Sequence, residues 1–278
     1  MSHSKQFDKV IANANKKLAE AYHEKAKYLL EYQMSWDSIE CSNKAIELDP
    51  EKSAYFNIKG IQLASLGKYD EAILSFREML KLDSKSGNAY NNIGHALLGL
   101  ERYDEAIVYF DKTIELDPED RYAYFNKAGL FKALGKCEEA IAWYDKIIAL
   151  TPTNPLVSDA SKPDNEDNVY MLKGLLLHDL GRDEEAISSY EKAISLDHRC
   201  KRAYVEKAKA LNSLGKFQEG VFFCDKAITL DTDYGVAYEH KAETLQKLER
   251  YDEAIACYDK LLHLNHNDED AYVCKGEY

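Results

Sequence analysis

Eight histidines, six cysteines and a series of paired acids are the side chains here that could bind a metal, act as a nucleophile or move a proton. Their spacing argues against all three roles. A zinc site needs ligands that converge, as from a CxxC pair or from two histidines one helical turn apart. The cysteines (Cys41, Cys137, Cys200, Cys224, Cys257, Cys274) are scattered and form no such pair. The nearest histidines, His263 and His266, stand near a helix end and lack further ligands at suitable spacing. No Walker phosphate loop, GxSxG elbow, HExxH pair or dinucleotide fingerprint occurs. The acidic pairs Asp104-Glu105, Glu138-Glu139, Glu184-Glu185 and Asp252-Glu253 come back in unit after unit, which marks them as structural: carboxylates at helix starts lie against the positive end of the helix dipole. No catalytic residue, metal or cofactor is expected. Scattered thiols suit a reducing cytoplasm, where cysteine serves as a small core residue.

The regular return of those acids leads to the elements that carry them. GKYDEAILSF, ERYDEAIVYF, GKCEEAIAWY, GRDEEAISSY, GKFQEGVFFC and ERYDEAIACY are variants of one phrase, anchored on Ala72, Ala106, Ala140, Ala186, Gly220 and Ala254. The spacing between anchors is 34 residues, except for one step of 46 that contains a 12-residue insertion. A second small-residue series (Ala26, Gly60, Gly94, Ala128, Gly174, Ala208, Ala242, Gly276) keeps the same steps. Each unit reads as two amphipathic helices, for example Asn88 to Leu100 and Tyr103 to Leu116, joined by a turn short enough to force antiparallel packing. Small residues let the two backbones approach, and Tyr90, Leu97, Tyr103 and Phe110 fill the space around the contact. One such hairpin cannot bury both faces, so stability must come from stacking on neighbours.

This pattern resembles the tetratricopeptide repeat family: an aromatic before the small residue (Phe56, Tyr90, Tyr124, Tyr170, Tyr204, Tyr238), the YDEAI phrase, and endings such as LDP. The resemblance covers seven units and implies an all-α, right-handed superhelical solenoid of antiparallel helix pairs. It also implies a non-enzymatic protein-protein interaction scaffold. The expected organisation is an N-terminal capping helix over residues 1–18, units one to four over 19–154, an inserted loop at 155–166, units five to seven over 167–268, and a partial eighth unit at 269–278. The first unit departs most from the pattern, because Gln33 to Trp36 lacks the usual glycine and tyrosine. The insertion reads as a tolerated surface loop, with a hinge or a cover for the groove as the sharper reading. The unfinished eighth unit suggests a fragment of a longer array, or else a cap.

Bulk properties agree with an all-α class. Hydrophobic residues make up 45% of the 278, with 20 Tyr and 9 Phe, while Gly and Pro number only 13 and 5. That is enough apolar surface for a core and too few turn residues for a strand-rich fold. The net charge of −13 disfavours nucleic acid and anionic membranes. Lys5, Lys9, Lys16 and Lys17 make a local basic exception, read as a solvated helix face. No apolar run reaches the length of a membrane span.

In the family that this chain resembles, the first helices of successive units line a concave groove. Carried onto this sequence, that frame gives Asn57, Ile58 and Ile61; Asn91, Asn92 and His95; Phe125, Asn126 and Gly129; Met171, Leu172 and Leu175; Val205, Glu206 and Lys209; and Glu239, His240 and Glu243. Chaperone-binding members hold a terminal carboxylate with a lysine and asparagine clamp. The best window here offers Asn57, Asn92 and Asn126, but Ile61 and Tyr122 stand where clamp residues belong and the cations are missing, so a heat-shock chaperone tail is disfavoured as partner. The remaining expectation is a peptide of another protein, extended or helical. Asn57, Asn91, Asn92 and Asn126 would hold its backbone, and Ile58, Ile61, Phe125, Met171, Leu172 and Leu175 would form an apolar floor. Two other readings stay open: a targeting or regulatory module of a longer enzyme or multidomain protein, and an array that self-associates through its incomplete C-terminal unit.

Overall fold

The computed structural model describes residues 3–150 and 165–264. Among them the chain forms fourteen α-helices and no strand. In order these are α1 (His3–Glu31), α2 (Ser35–Leu48), α3 (Ser53–Ser65), α4 (Tyr69–Leu82), α5 (Gly87–Gly99), α6 (Tyr103–Leu116) and α7 (Arg121–Ala133), then α8 (Cys137–Ala149), α9 (Glu166–Asp179), α10 (Asp183–Leu196), α11 (Lys201–Ser213), α12 (Phe217–Leu230), α13 (Gly235–Lys247) and α14 (Tyr251–Leu264). Odd-numbered helices are the first, and even-numbered helices the second, of each repeat.

Both small-residue series do what their spacing suggests. A Cβ on Gly94 would stand 2.6 Å from the Phe110 ring, and one on Gly174 would stand 2.5 Å from Tyr190, so the aromatic ring of the second helix sits directly on the bare backbone of the first. Each hairpin turn then closes in the same way. The Lys68 N–H donates to the Leu63 carbonyl at 2.9 Å and the Gly67 N–H to Ala64 at 3.0 Å, with Gly67 at φ 74°. This left-handed helix ending favours glycine. Gln33, Glu101 and Glu249 adopt it as well, at φ 58°, 58° and 59°. The first repeat therefore makes the standard turn without the standard glycine: the Met34 N–H reaches Leu29 at 2.9 Å.

The chain divides into two compact units, residues 1–130 and 131–278. In the first, Tyr55, Phe76, Ile93, Leu97, Phe110 and Leu130 are fully buried; in the second, Tyr144, Leu176, Leu177, Tyr190 and Leu245 are. Within each unit the first helices of successive repeats touch, α1 with α3 and α3 with α5, and likewise α9 with α11 and α11 with α13. Among the described residues no such contact is found between α2 and α4, α4 and α6, α10 and α12 or α12 and α14. Helices that close ranks on one side and spread on the other put the first helices on the inner face. Cys41, Cys224 and Cys257 are buried among these helices, and burial pushes the Cys224 thiol up to about 12, which keeps it protonated and inert.

Two expected boundaries change. The separate capping helix over residues 1–18 is instead the front half of α1, continuous with the first repeat helix, and its Phe7, Val10, Ile11 and Leu18 are exposed. No helix breaker separates the halves, so the chain has no reason to turn back at residue 18. Of the insertion at 155–166, all but the last two residues lie outside the described residues. Asn165 caps α9 by accepting from the Asn168 N–H at 3.1 Å, and Glu166 is already helical. The partial eighth unit, 269–278, also lies outside them.

Candidate functional site

The inner face of the first compact unit is built from α3, α5 and the part of α7 up to Leu130. Each inner helix offers two adjacent positions that meet the next one. The Asn92 amide nitrogen donates to the Asn57 side-chain oxygen at 2.9 Å. One repeat later the Asn126 nitrogen donates to the Asn91 oxygen at 2.8 Å. Both bonds join residues 35 apart, because a residue in one helix meets the following register position in the next. The four asparagines thus form two rungs. The Asn91–Asn126 rung is buried, at 6% and 8% exposure, whereas Asn57 and Asn92 are half-buried. An asparagine carries two donors and an acceptor of two lone pairs, so each rung uses only part of its capacity.

Around the rungs the groove is neutral. His95 is exposed on the inner face of α5, yet surrounding protein excludes enough water to lower its pKa below the ordinary histidine value. Tyr122 is 40% exposed, while Phe125, Gly129 and Ile61 are half-buried. Ile58, expected on the floor, instead packs in the core with Ala26, Leu29 and Cys41. Its register position is the one that carries the second rung partner in the next two repeats, and an apolar residue there turns inward.

The second compact unit places different chemistry at the same register. Met171, also expected on the floor, is buried at 4% exposure, and Leu172 and Leu175 are half-buried. Val205 is buried. Glu206 lies 3.3 Å from Lys209 and 3.9 Å from Arg202, and His240 pairs with Glu243 at 3.0 Å. The hydrogen bond from His240 holds the Glu243 carboxyl below the usual carboxylate range. Glu239 is exposed. Here the inter-helix rung moves toward the helix end, where the Asn212 nitrogen donates to the Thr244 hydroxyl at 2.6 Å. Gly220 departs from the alanine of its series because the Asn212 side-chain oxygen occupies the space a Cβ would need.

A further recurrent interaction is missing from the sequence-based reading. Lys127 pairs with Asp111, Lys173 with Asp145 at 2.5 Å, Lys207 with Glu191 at 2.7 Å and Lys241 with Asp225 at 2.7 Å. Each lysine precedes the small residue of a first helix, and its acid lies on the second helix of the preceding repeat. Three of the pairs are 16 residues apart and the one spanning the insertion is 28 apart. That offset is the signal that could have found them. These lysines point away from the inner face into inter-repeat packing, so none of them supplies the cation that the groove lacks. Among the described residues no group of three or more potential metal ligands occurs, and no helix is long and apolar enough to cross a membrane.

Comparison with known proteins agrees with this architecture. Two family models, both described as tetratricopeptide repeat, match the chain, one over residues 91–155 and the other over 167–199, 201–234 and 236–268. No curated protein matches. Among solved structures, the C-terminal part of a TPR repeat-containing protein from Cytophaga hutchinsonii superposes with a TM-score of 0.69 at 18% identity, covering 90% of this chain and 98% of that one. A tetratricopeptide repeat protein from Parabacteroides merdae gives 0.60 at 17% identity, with 94% and 98% covered. PilW, a type IV pilus biogenesis factor, gives 0.62 at 17% identity, with 80% and 97% covered. At these identities the likeness is one of fold.

Proposed function

The chain belongs to the tetratricopeptide repeat family, and from that premise we propose that this protein-interaction scaffold has no catalytic activity and binds an extended peptide along the inner face of its first compact unit. The observation that supports this reading is the half-used amide rung. Asn92 gives one N–H to Asn57, and the remaining N–H groups and carbonyl lone pairs of the two side chains lie on a partly open face. A donor and an acceptor side by side match the N–H and C=O of a peptide bond whatever side chain the peptide carries. The rung itself holds the two amides in place, so little side-chain entropy is lost on binding. Neutral surroundings favour an uncharged peptide segment over a terminal carboxylate. Ile61, Phe125 and His95 would contact its side chains.

The buried Asn91–Asn126 rung has the other role: it fixes the spacing of neighbouring inner helices and leaves less for a ligand. Met171 is enclosed in the second unit and is not among the proposed contacts.

The test is selection of a displayed random peptide library on the intact chain, followed by titration of a selected peptide against wild type and Asn57→Ala/Asn92→Ala. Affinity should fall about tenfold, the worth of one or two hydrogen bonds, with helicity by circular dichroism unchanged. Selected peptides that bind both proteins equally would sink this placement.

A further inference from the structure

Helix α1 has two apolar faces, and only one is covered. Ala19, Ala26 and Leu29, with half-buried Tyr22, face the repeat body. A second line runs through Phe7, Ile11, Ala14, Leu18, Ala21, Lys25, Tyr28 and Tyr32, with steps of four and three residues alternating throughout. Every member of this line is exposed, the large ones by 48–68%. A strict 3.5-residue period over the full helix is the signature of a coiled-coil seam. At 100° per residue it stands roughly 100° around the helix from the buried face. Tyr32, just beyond α1, still donates to the Tyr28 carbonyl and prolongs the seam.

We propose that this seam pairs with the same seam of a second copy of the chain, the two α1 helices running antiparallel. Charge selects the occupant. Lys17 and Glu24 border the seam at equivalent heptad positions seven residues apart. An antiparallel pairing centred between residues 18 and 21 sets Lys17 of each copy opposite Glu24 of the other, twice by symmetry. In the same pairing Leu18 meets Ala21, Ile11 meets Tyr28, and Phe7 meets Tyr32, so large residues face small ones at the centre and the aromatic residues close the ends. Lys25 falls opposite Ala14, where its stem can lie along the seam and its ammonium reach water.

A parallel pairing would put Lys25 against Lys25 in the seam and leave Lys17 without its acid. An anionic membrane is a poorer occupant, because Lys25 interrupts the apolar line and Glu24 and Glu31 border it. The seam would bury roughly 1,000–1,200 Å² over both copies, at the lower edge of specific interfaces, so the dimer should be weak and concentration-dependent.

Sedimentation velocity of the intact chain over two decades of concentration tests this. Wild type should move from monomer to dimer across the range. Ile11→Glu/Leu18→Glu should stay monomeric with its helicity retained, because neither side chain is packed against the body. Lys17→Glu should weaken association about tenfold, replacing two attractions by two repulsions, and Lys17→Glu/Glu24→Lys should restore it. A monomer at every concentration, or a dimer indifferent to Ile11→Glu/Leu18→Glu, overturns the proposal. An α1-dependent dimer that the double charge swap fails to restore overturns the antiparallel pairing.

Discussion

At one register position the inner helices of the first compact unit carry Asn57, Asn91 and Phe125, and those of the second carry Met171, Val205 and Glu239; at the next position they carry Ile58, Asn92 and Asn126 against Leu172, Glu206 and His240. The backbone beneath is the same hairpin with the same turn. In the first unit the polar groups bond across repeats, amide to amide, and are neutral. In the second they bond along their own helix, Glu206 with Lys209 and His240 with Glu243, and each pair includes a carboxylate. Cross-repeat amide bonds couple neighbouring hairpins and need both partners in place. Pairs three residues apart on one helix leave the neighbouring hairpins independent. The two units thus share a scaffold and differ, at this register, in how the inner face is held and in what it offers a ligand; the cross-repeat bond of the second unit, Asn212 to Thr244, lies toward the helix end.

The sharpest way to break this comparison is to remove one partner of each kind at a common register. Asn126→Ala leaves the buried Asn91 oxygen without its donor and should lower unfolding free energy by about 2 kcal/mol. Glu206→Ala should cost about 1 kcal/mol, because the substitution removes the buried carboxylate itself and both Lys209 and Arg202 can then turn to solvent. Urea denaturation of the two variants checks the order, and equal losses would abolish the distinction between coupled and local bonding.

A smaller effect tests the shared half of the comparison. Glu101→Gly in the first unit and Glu249→Gly in the second each relieve a left-handed, non-glycine backbone, and each should raise stability by about 1 kcal/mol. A gain in one and not in the other would show that the two turns are not equivalent.

The smallest effect is that of acid. The folded pKa of His95 lies below its ordinary value of 6.5, so the unfolded chain takes up its proton first and stability declines as pH falls below 6.5. His95→Gln should remove that share of the decline. Glu243 is depressed below 4.5, so its contribution is full above 4.5 and is lost as pH falls through the folded value. His240→Leu should remove this second share. Melting temperatures recorded from neutral pH downward separate the two windows, one for each groove.

Much of this was legible in the residues. The 34-residue period, the small positions and the helix pairs follow from sequence, because a close backbone approach admits only glycine or alanine whatever surrounds it. The groove positions followed from the resemblance, but their roles did not. Asn91 and Asn126 look identical to Asn57 and Asn92 in sequence, and only their burial separates a structural rung from an accessible one. Ile58 and Met171 read as groove floor, yet a side chain at either of their two adjacent registers can turn toward the groove or into the core, and the neighbouring helix decides which. The lysine–acid pairs carried a 16-residue offset, lengthened to 28 across the insertion, that periodic reading alone does not highlight, since it joins the second helix of one repeat to the first of the next.

The sequence by itself determined the repeat, its period, its interruption and the absence of catalytic or metal-binding motifs, because these depend on residue size and polarity at fixed intervals along one chain. Tertiary structure decided which polar groups are already engaged. It paired Asn57 with Asn92 and Asn91 with Asn126, withdrew four lysines into inter-repeat packing, and left one face of α1 bare. Hydrogen-bond partners and burial are relations between helices stacked a repeat apart, and a linear pattern that is nearly the same in every repeat cannot specify how each copy uses them.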